Sequence, residues 1–362
     1  MSRVVAAFGP ACIGNVAAGF DVLGAAVAPL DGPWGDLVEL REAASWSLVA
    51  EGPFAGALPR EPAENLALKA CQAFERRLGR RLPPCALRLH KGLPVASGLG
   101  SSSATVVATL RALDALFDHP LGAAGPLGDA ELLAAAGEAE AHASGAVHLD
   151  NVAAALLGGL RLLAPDGRAC LLPFPEELRF VLAVPALTLT TRAARAALPH
   201  GVSRRLAVEH AQNLAALVHA LHTGNRELLR ACLVDLLAEP HRAALVPGFR
   251  AVQAAALAGG ALGCSLSGSG PSVFAVAEPG AAEAIGEDMR QAWSAAGIAS
   301  EIKICGLDRV GARLVREERQ PDETRPPGAG PAAPEAPAAP TARAARAARA
   351  AQDNREAKDP CS

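Results

Sequence analysis

The chain has 362 residues, of which 51% are hydrophobic and 20% are charged, and its formal net charge at pH 7 is −3. This size favours two packed lobes, and the apolar content excludes a largely disordered protein. The small net charge and the 3% of aromatic residues argue against nucleic acid or a membrane surface as a partner.

The eight cysteines are scattered without a C-x-x-C pair, which argues against a structural zinc site, a redox dithiol or a disulfide framework. The N-terminus lacks the apolar core of a secretory signal. Two long uncharged stretches, at residues 92–110 and 251–277, are interrupted by Gly, Ser and Pro. We therefore expect a soluble cytoplasmic protein without a membrane span.

Hydrophobic periodicity separates predicted strands from predicted helices along the chain. In chain order, the predicted elements are strands at 3–8 and 36–50, a helix at 63–79, a strand at 85–90, helices near 102–117 and at 129–143, an apolar segment at 151–163, a strand at 179–185, helices at 203–222, 225–237 and 248–258, a strand at 272–277, a helix at 280–296 and a strand at 299–305. Strands and helices mix without a strict βαβ repeat, which predicts an α+β fold.

Two lobes and a tail are expected, because the chain is long and the predicted strand at 179–185 opens what looks like a second lobe. We expect an N-terminal lobe at residues 1–165, a C-terminal lobe at 166–316 and a tail at 317–362. Residues 321–362 contain no Val, Ile, Leu, Met, Phe or Trp and are dominated by Ala and Pro. A segment with nothing to bury cannot offset its conformational entropy, so the tail is predicted to be disordered.

Residues 94–104, Pro-Val-Ala-Ser-Gly-Leu-Gly-Ser-Ser-Ser-Ala, carry the strongest chemical signal. They connect a predicted strand to a predicted helix, where unpaired backbone N–H groups attract anions and glycines allow close approach to a ligand. The spacing excludes a P-loop, because Ser101 stands where that motif has lysine, and excludes G-x-G-x-x-G, because Ser103 replaces the third glycine. The segment predicts a phosphate-binding loop, with a serine-capped helix after a flexible loop as the alternative.

Three segments resemble the three motifs of the GHMP kinases. Residues 94–104 resemble the second motif, P-x-x-x-G-L-G-S-S, and residues 10–24 and 263–272 stand where the family has its first and third motifs. Together they span the chain from about residue 3 to 315. The resemblance implies a two-lobed α+β GHMP kinase fold, with an N-terminal lobe like domain 2 of ribosomal protein S5 and a ferredoxin-like C-terminal lobe.

The first motif departs from the family pattern. The family commonly has Ser or Gly at the positions that are here Cys12, Ile13, Gly14 and Ala17. These changes keep most side chains small, and Asn15 and Asp21 are retained. We expect a slight change in packing around the substrate and no loss of polar contacts.

Four further stretches, at residues 19–26, 144–153, 194–199 and 238–242, resemble the homoserine kinases of this superfamily. This resemblance implies transfer of the γ-phosphoryl group of ATP to the side-chain hydroxyl of L-homoserine, giving O-phospho-L-homoserine in threonine biosynthesis. ATP and Mg²⁺ are the implied cofactors. Phosphoryl transfer of this kind depends mainly on positioning and charge stabilisation.

The sequence leaves other functions open. One is a GHMP kinase with another small alcohol acceptor, such as mevalonate or a sugar, and another is a non-catalytic protein that binds homoserine or threonine. L-Threonine shares the zwitterion of homoserine and is a conceivable inhibitor at the same site. The sequence does not define the oligomeric state, and a homodimer is one of the alternatives.

The resemblance assigns the nucleotide to the glycine loop. The residues implied to bind ATP are Pro94, Val95, Ala96, Ser97, Gly98, Leu99, Gly100, Ser101, Ser102, Ser103 and Ala104. Ser102 and Glu140 match the implied Mg²⁺ ligands, and oxygen donors of this kind suit a hard cation. Lys91 either adds charge at the phosphates or ends a strand in water. The third motif is expected to approach the phosphates through its backbone.

The resemblance also assigns the phosphoryl acceptor. Arg195 and Arg242 match positions that bind the substrate carboxylate, for which the guanidinium fork is well shaped. The positions implied to bind the ammonium and hydroxyl groups are Asn15, Asp21 and Asn151. The implied catalytic residues are Asp21, Asn15 and Thr191, the last lying one turn before Arg195.

Asp21 is expected to orient the hydroxyl rather than to act as a general base. An ordinary aspartate has a pKa of about 3.9 and is a weak base toward an alcohol. The proton would then leave late or move to a phosphate oxygen. His148 is a second nominee for the base, against the simpler interpretation that it packs the turn before Asn151.

Overall fold

The computed structural model describes residues 2–118, 128–144 and 149–320. Of the tail predicted at 317–362, residues 317–320 belong to the last strand, which pairs with the first, and the remainder lies outside the described residues. The strands are β1 (Ser2–Gly14), β2 (Leu23–Pro29), β3 (Gly35–Glu42), β4 (Ser47–Glu51), β5 (Cys85–His90), β6 (Leu160–Leu163), β7 (Ala169–Leu172), β8 (Arg179–Pro185), β9 (Gly263–Leu266), β10 (Val273–Ala277), β11 (Ser300–Leu307) and β12 (Arg313–Gln320). The helices are α1 (Leu66–Leu78), α2 (Ser101–Leu116), α3 (Gly128–Ser144), α4 (Asp150–Leu157), α5 (Thr191–Ala196), α6 (Arg204–Thr223), α7 (Arg226–Cys232), α8 (Glu239–Arg242), α9 (Phe249–Ala258) and α10 (Ala282–Ala295). Short 3₁₀ turns occur at Ala55–Ala57, Pro62–Glu64, Ala243–Leu245 and Pro279–Ala281.

These strands pair into one sheet in the order β4-β5-β3-β1-β2-β11-β8-β10-β9, with β12 beside β1, β6 beside β2, and β7 beside β6. All pairs are antiparallel except β4 with β5. The mixture of helices with a mainly antiparallel sheet confirms the predicted α+β class. The lobe boundary at residue 165 stays a prediction.

The core divides among three groups of buried side chains. One group combines side chains of α1 to α4 with side chains of β1, β3 and β5, and in it Phe74 and Leu89 are completely buried. Helices α9 and α10 cover β8 and β10, with Trp293 buried between them. The third group includes Ile13 of the first motif and Leu99 of the glycine loop. Both motifs are therefore anchored in the close-packed core.

Helix α2 is buried on nearly all sides, which explains why its sequence is dominated by small and apolar residues and lacks a distinct polar face. Its first turn lies against β1, where a Cβ atom added at Gly9 would stand 2.2 Å from the carbonyl oxygen of Ala104. Glycine at this position therefore lets the helix N-terminus approach the sheet closely.

Two predicted boundaries were wrong, and one apolar segment without an assigned type contains two elements. The strand predicted at 36–50 is two strands, because the chain reverses at residues 43–46 so that β4 can pair parallel with β5. The helix predicted at 225–237 ends at Cys232, because the Asp235 carboxylate accepts backbone hydrogen bonds that begin α8. The apolar segment at 151–163 is α4 followed by β6, separated by glycines with positive φ.

Six elements were not predicted, namely β2, β7, β9, β12, α5 and α8. Most are short, and β2 is rich in alanine, so neither the strand nor the helix period is visible in them. Among the described residues, no helix has the length and apolar character needed to cross a membrane.

Candidate active site

The three glycine-containing motifs meet at one cavity of about 450 Å³. Asn15 contributes from the first motif, Gly98 from the loop and Gly268 from the third motif. Arg195 from α5 and Arg242 from α8 line the same cavity. Residues separated by more than two hundred positions in the chain are therefore neighbours around one space.

The glycine loop has the conformation that its sequence requires. Gly98 has φ +80°, and a Cβ atom added there would stand 2.4 Å from the carbonyl oxygen of Ser267. Gly100 has φ +62° and is the N-cap residue of α2. Both residues adopt the left-handed conformation that glycine tolerates at no steric cost, and they direct the start of α2 toward the cavity.

The loop residues divide between the cavity and the core. The loop residues that line the cavity are Val95, Ala96, Ser97, Gly98, Gly100, Ser101, Ser102 and Ser103. Pro94, Leu99 and Ala104 do not line it, and the last two are completely buried in the core. The nucleotide assignment of these three residues therefore has no support in the geometry.

The three serine hydroxyls have different surroundings. Ser102 donates to Oε1 of Glu140 at 2.6 Å, and Ser101 donates to the Leu93 carbonyl at 3.3 Å. The Ser103 hydroxyl is 1% exposed and has no hydrogen-bond partner among the described residues. A buried hydroxyl without a partner is costly, and a ligand oxygen in the cavity would satisfy it.

Glu140, on α3, is buried beside the loop. Burial raises the pKa of its carboxyl to about 7, an effect that the Ser102 hydrogen bond opposes and the nearby Asp150 charge reinforces. In the described part of the chain, no three His, Cys, Asp or Glu side chains form a metal-binding group. The paired oxygens of Ser102 and Glu140 are compatible with Mg²⁺ only if phosphate oxygens and water supply the remaining ligands.

Asp21 and Arg195 form an ion pair in the lining of the cavity. Nη2 of Arg195 lies 2.8 Å from Oδ1 and 3.0 Å from Oδ2 of Asp21. Both side chains are about one-third exposed. The guanidinium also lies 5.6 Å from the centroid of the Phe20 ring, so the GFD segment of the first motif holds Arg195 at the cavity.

Arg242 is 3% exposed, although its guanidinium faces the cavity. It donates to the carbonyl oxygens of Gly268 at 3.0 Å and Ala194 at 3.3 Å. Among the described residues, no carboxylate lies within ion-pairing distance of it, and burial lowers its pKa. Its direct contacts are these two carbonyl oxygens and the face of the Phe20 ring at 5.4 Å, so the guanidinium is suited to bind an anion that enters the cavity.

Two carboxylates fix α8 and hence Arg242. Asp235 accepts backbone hydrogen bonds from Leu237, Ala238 and Glu239 at the start of the helix. The Glu239 side chain is buried and accepts from Ser265 at 2.6 Å. These contacts explain how a helix of only four residues holds a buried arginine in place.

Asn15 connects the first and third motifs. Its Nδ2 donates to the Gly268 carbonyl at 2.9 Å, and its Oδ1 accepts from the Asp21 backbone N–H at 3.1 Å. It begins a run of three residues with positive φ, at 15–17. For residues other than glycine this run is strained, and such strain is typical of functional sites.

Asn151 and Thr191 also line the cavity. The Cys12 thiol lies 3.3 Å from Oδ1 of Asn151, so the departure from the family pattern at position 12 contacts an implied substrate residue. Thr191 is exposed at the start of α5. His148 lies outside the described residues.

Asp150 was missed by sequence reasoning although it precedes Asn151. It is buried, lines the cavity and accepts from the Asn15 backbone N–H at 3.3 Å. Burial, with the Asp21 charge as the next contribution, raises the pKa of its carboxyl to about 6. No local pattern marks it, because its burial depends on a contact between α4 and the first motif.

We expect Asp150→Asn to stabilise the unliganded protein at alkaline pH. The folded-state pKa of about 6 lies above the ordinary aspartate value of 3.8, so the stability gained from protonation is complete below about pH 4 and is lost as pH rises through 6. The shift corresponds to roughly 3 kcal/mol, which the amide avoids. Thermal unfolding at pH 8 should show a higher Tm than wild type, with little difference at pH 4. The exposed Asp31→Asn is the control, and a lower Tm for Asp150→Asn at pH 8 would contradict this account.

The hydrogen-bond donors of the third motif at Ser267, Gly268 and Ser272 bind the glycine loop and the first motif and do not point to a ligand site. Its Ser267 hydroxyl donates to the Gly98 carbonyl at 2.6 Å, and the Ser272 N–H donates to the Ser97 carbonyl at 3.1 Å. The Gly268 N–H donates to the Gly14 carbonyl at 3.1 Å. These N–H groups are engaged within the protein, so the expected backbone approach to the phosphates does not apply to them.

Lys91 is 2% exposed, so the interpretation of a strand-end lysine in water is wrong. It lines the floor of the cavity and forms an ion pair with the buried Asp36. Sequence reasoning did not connect these two residues, because Asp36 lies on β3 and Lys91 directly follows β5, and these strands become neighbours only in the sheet.

Comparison with known proteins supports the same relationship over both halves of the chain. The family model described as GHMP kinases N terminal domain matches residues 65–159, and the one described as GHMP kinases C terminal matches residues 217–295. The crystal structure of homoserine kinase from Cytophaga hutchinsonii is 34% identical, with a TM-score of 0.78 over 86% of this chain and 97% of that chain.

More distant structures share the fold. A provisionally named homoserine kinase from Listeria monocytogenes is 24% identical, with a TM-score of 0.64 over 88% of this chain and all of its own. The L. major mevalonate kinase in complex with R-mevalonate is 18% identical, with a TM-score of 0.60 over 83% of this chain and 94% of that chain. Both halves thus match one two-lobed α+β phosphotransferase scaffold, and the chain belongs to the GHMP kinase family.

Proposed function

We propose that this protein transfers the γ-phosphoryl group of ATP to the side-chain hydroxyl of L-homoserine. The observation that carries the proposal is Arg242, a buried residue of the cavity lining that donates to two carbonyl oxygens and, among the described residues, has no carboxylate within ion-pairing distance. An amino-acid carboxylate would supply the missing anion. The similarity to the Cytophaga hutchinsonii homoserine kinase supports the same acceptor.

The remaining polar groups suit the rest of a homoserine molecule. Asp21 and Asp150 are carboxylates at the same cavity and would attract an ammonium group. The side-chain amide of Asn15 accepts from the Asp21 backbone N–H, and that of Asn151 lies beside Asp150, so both amides are near enough to accept from or donate to a hydroxyl. Mevalonate has a carboxylate but no ammonium group to compensate Asp150, and galactose has no charged group for either Asp150 or Arg242.

The loop and the start of α2 are suited to the nucleotide. The helix N-terminus lies at the cavity and carries the positive end of the helix dipole. The unsatisfied Ser103 hydroxyl adds a donor for a phosphate oxygen. Ser102 and Glu140 would hold Mg²⁺, which when bound neutralises charge on the transferring phosphate.

The chain's own contribution to the reaction is positioning. Arg195 and Arg242 would fix the carboxylate end, so that the side-chain hydroxyl extends toward the loop. Asp21 and Asn15 would orient the hydroxyl by hydrogen bonding, with Thr191 at the entrance. We assign no general base: Asp21 is engaged with Arg195, and the proton can pass to a phosphate oxygen as transfer proceeds.

A coupled assay of ADP release tests the proposal. With ATP and Mg²⁺ present, kcat/KM for homoserine should exceed that for mevalonate and galactose by at least about 10³-fold, because the rival acceptors leave buried charges unpaired. ATP hydrolysis without an acceptor provides the background rate. Faster turnover of mevalonate or galactose would reassign the acceptor, and homoserine binding without ADP release would indicate a binding protein. Adding L-threonine to the same assay shows whether it raises the apparent KM for homoserine.

A further inference from the structure

Lys91 and Asp36 form a buried charged pair beneath the glycine loop. Lys91 follows the end of β5, and Asp36 is the second residue of β3. Their side chains are 2% and 0% exposed. A lysine in the lining of a nucleotide cavity would ordinarily be expected to bind a phosphate group. Whether Lys91 does so depends on which atoms accept its hydrogen bonds.

All three ammonium hydrogens of Lys91 have partners within the protein. Nζ donates to Oδ2 of Asp36, to the Ser101 carbonyl at 2.7 Å and to the Thr105 hydroxyl at 3.1 Å. An ammonium group has three donors and no more. The lysine therefore has no hydrogen left for a phosphate while these contacts persist.

Asp36 binds both ends of the loop. Its Oδ1 accepts from the backbone N–H groups of Gly92 at 3.0 Å and Leu93 at 3.2 Å, where the loop begins. Its Oδ2 accepts from Lys91 and from the Thr105 hydroxyl at 2.5 Å, in the first turns of α2 where the loop has ended. The pair thus ties β3, the loop entrance and α2 together.

The electrostatics agree with an internal role. The two formal charges cancel, so the pair adds no net positive charge at the cavity. Leaving either charge without its partner in this buried place would be strongly unfavourable. The effect of the network is on geometry. It fixes the backbone at the two ends of the loop and so restricts the conformations that residues 94–100 can adopt between them.

We propose that Asp36 and Lys91 are positioning residues that preorganise the nucleotide loop, and that neither binds a phosphate directly. The inference rests on the proposed function only in taking the loop as the ATP site. Preorganisation lowers the cost of ordering a loop on binding, so losing the network should weaken nucleotide affinity.

The test compares Asp36→Asn, Lys91→Met and the double variant by isothermal calorimetry with MgADP. Both single variants should bind at least about tenfold more weakly, and the double variant should recover part of the loss, because no unpaired buried charge remains. If Lys91 instead binds phosphate, Asp36→Asn should bind MgADP as well as or better than wild type. That result, or a double variant no better than Lys91→Met, would overturn the proposal.

Two further measurements separate loop positioning from general loss of structure. In the ADP-release assay, KM for ATP should rise while KM for homoserine stays within about twofold, a split that nonspecific unfolding would not produce. Thr105→Val removes one uncharged member of the network and should raise KM for ATP two- to fivefold even if the charged variants fold poorly. Lys303→Met, on the distant strand β11, is the control and should leave both KM values unchanged.

These experiments distinguish an error in the proposed substrate from an error in the proposed role of Asp36 and Lys91. The calorimetric comparison uses nucleotide alone and does not require homoserine turnover. If wild type binds MgADP and the variants behave as expected while homoserine is not phosphorylated, only the acceptor is wrong. If the wild-type loop does not bind MgADP, this inference falls with the nucleotide site.

Discussion

Arg242→Leu should raise KM for homoserine by roughly 10²- to 10³-fold, because a buried ion pair that loses one partner costs about 3–5 kcal/mol. The leucine cannot compensate the carboxylate, and the 3% exposure of this position admits little water to replace the guanidinium. KM for ATP should remain within about twofold, since the loop is held by separate contacts. Steady-state kinetics with each substrate varied in turn provides the measurement.

Companion variants make this test specific. Arg195 is one-third exposed and paired with Asp21, so Arg195→Leu should have a smaller effect, roughly 10- to 100-fold on the same KM. Arg242→Lys keeps the charge but loses the planar fork and should fall between leucine and wild type. The exposed Arg192→Leu, three residues before Arg195, is the matched control. Equal effects on both KM values, or none, would remove Arg242 from the carboxylate site.

Glu140→Gln should lower kcat by on the order of 10³-fold with little change in KM for homoserine, because a group that stabilises developing phosphate charge acts mainly in the transition state. The amide keeps the size of the side chain and can still accept from Ser102, so the fold should persist. The Mg²⁺ concentration that gives half-maximal activity should also rise. Ser102→Ala removes a neutral ligand and should have a smaller effect of the same kind.

Glu138→Gln is the matched control for this prediction. Glu138 lies on the same helix but forms ion pairs with Arg76 and Arg77 and does not line the cavity. Sequence periodicity could not separate these two glutamates, so the comparison also tests the positional assignment. A Glu140→Gln enzyme with normal kcat and an unchanged Mg²⁺ requirement would contradict the metal-ligand role.

The elements with strong local patterns could be predicted from the sequence. The strand at 85–90 alternates apolar and polar residues, and the structure has β5 at Cys85–His90. The glycine loop and the following helix were also placed correctly, since positive φ at Gly98 and Gly100 is a property of the residues themselves. Local backbone preferences and hydrophobic periods act over a few residues and can be read without knowing the fold.

The surroundings of the site depended on contacts between distant segments. Asp36, Lys91 and Asp150 have no distinguishing local pattern, and each becomes a buried charge only when strands and helices from elsewhere exclude water around it. Arg195 and Arg242 were identified through the family resemblance alone, because no local pattern in the sequence distinguishes an arginine at a binding site from one at the surface. Composition and motifs define the loop and the fold class. The charge environment of the cavity is decided only by the tertiary structure, because burial and hydrogen-bond partners depend on packing between distant parts of the chain.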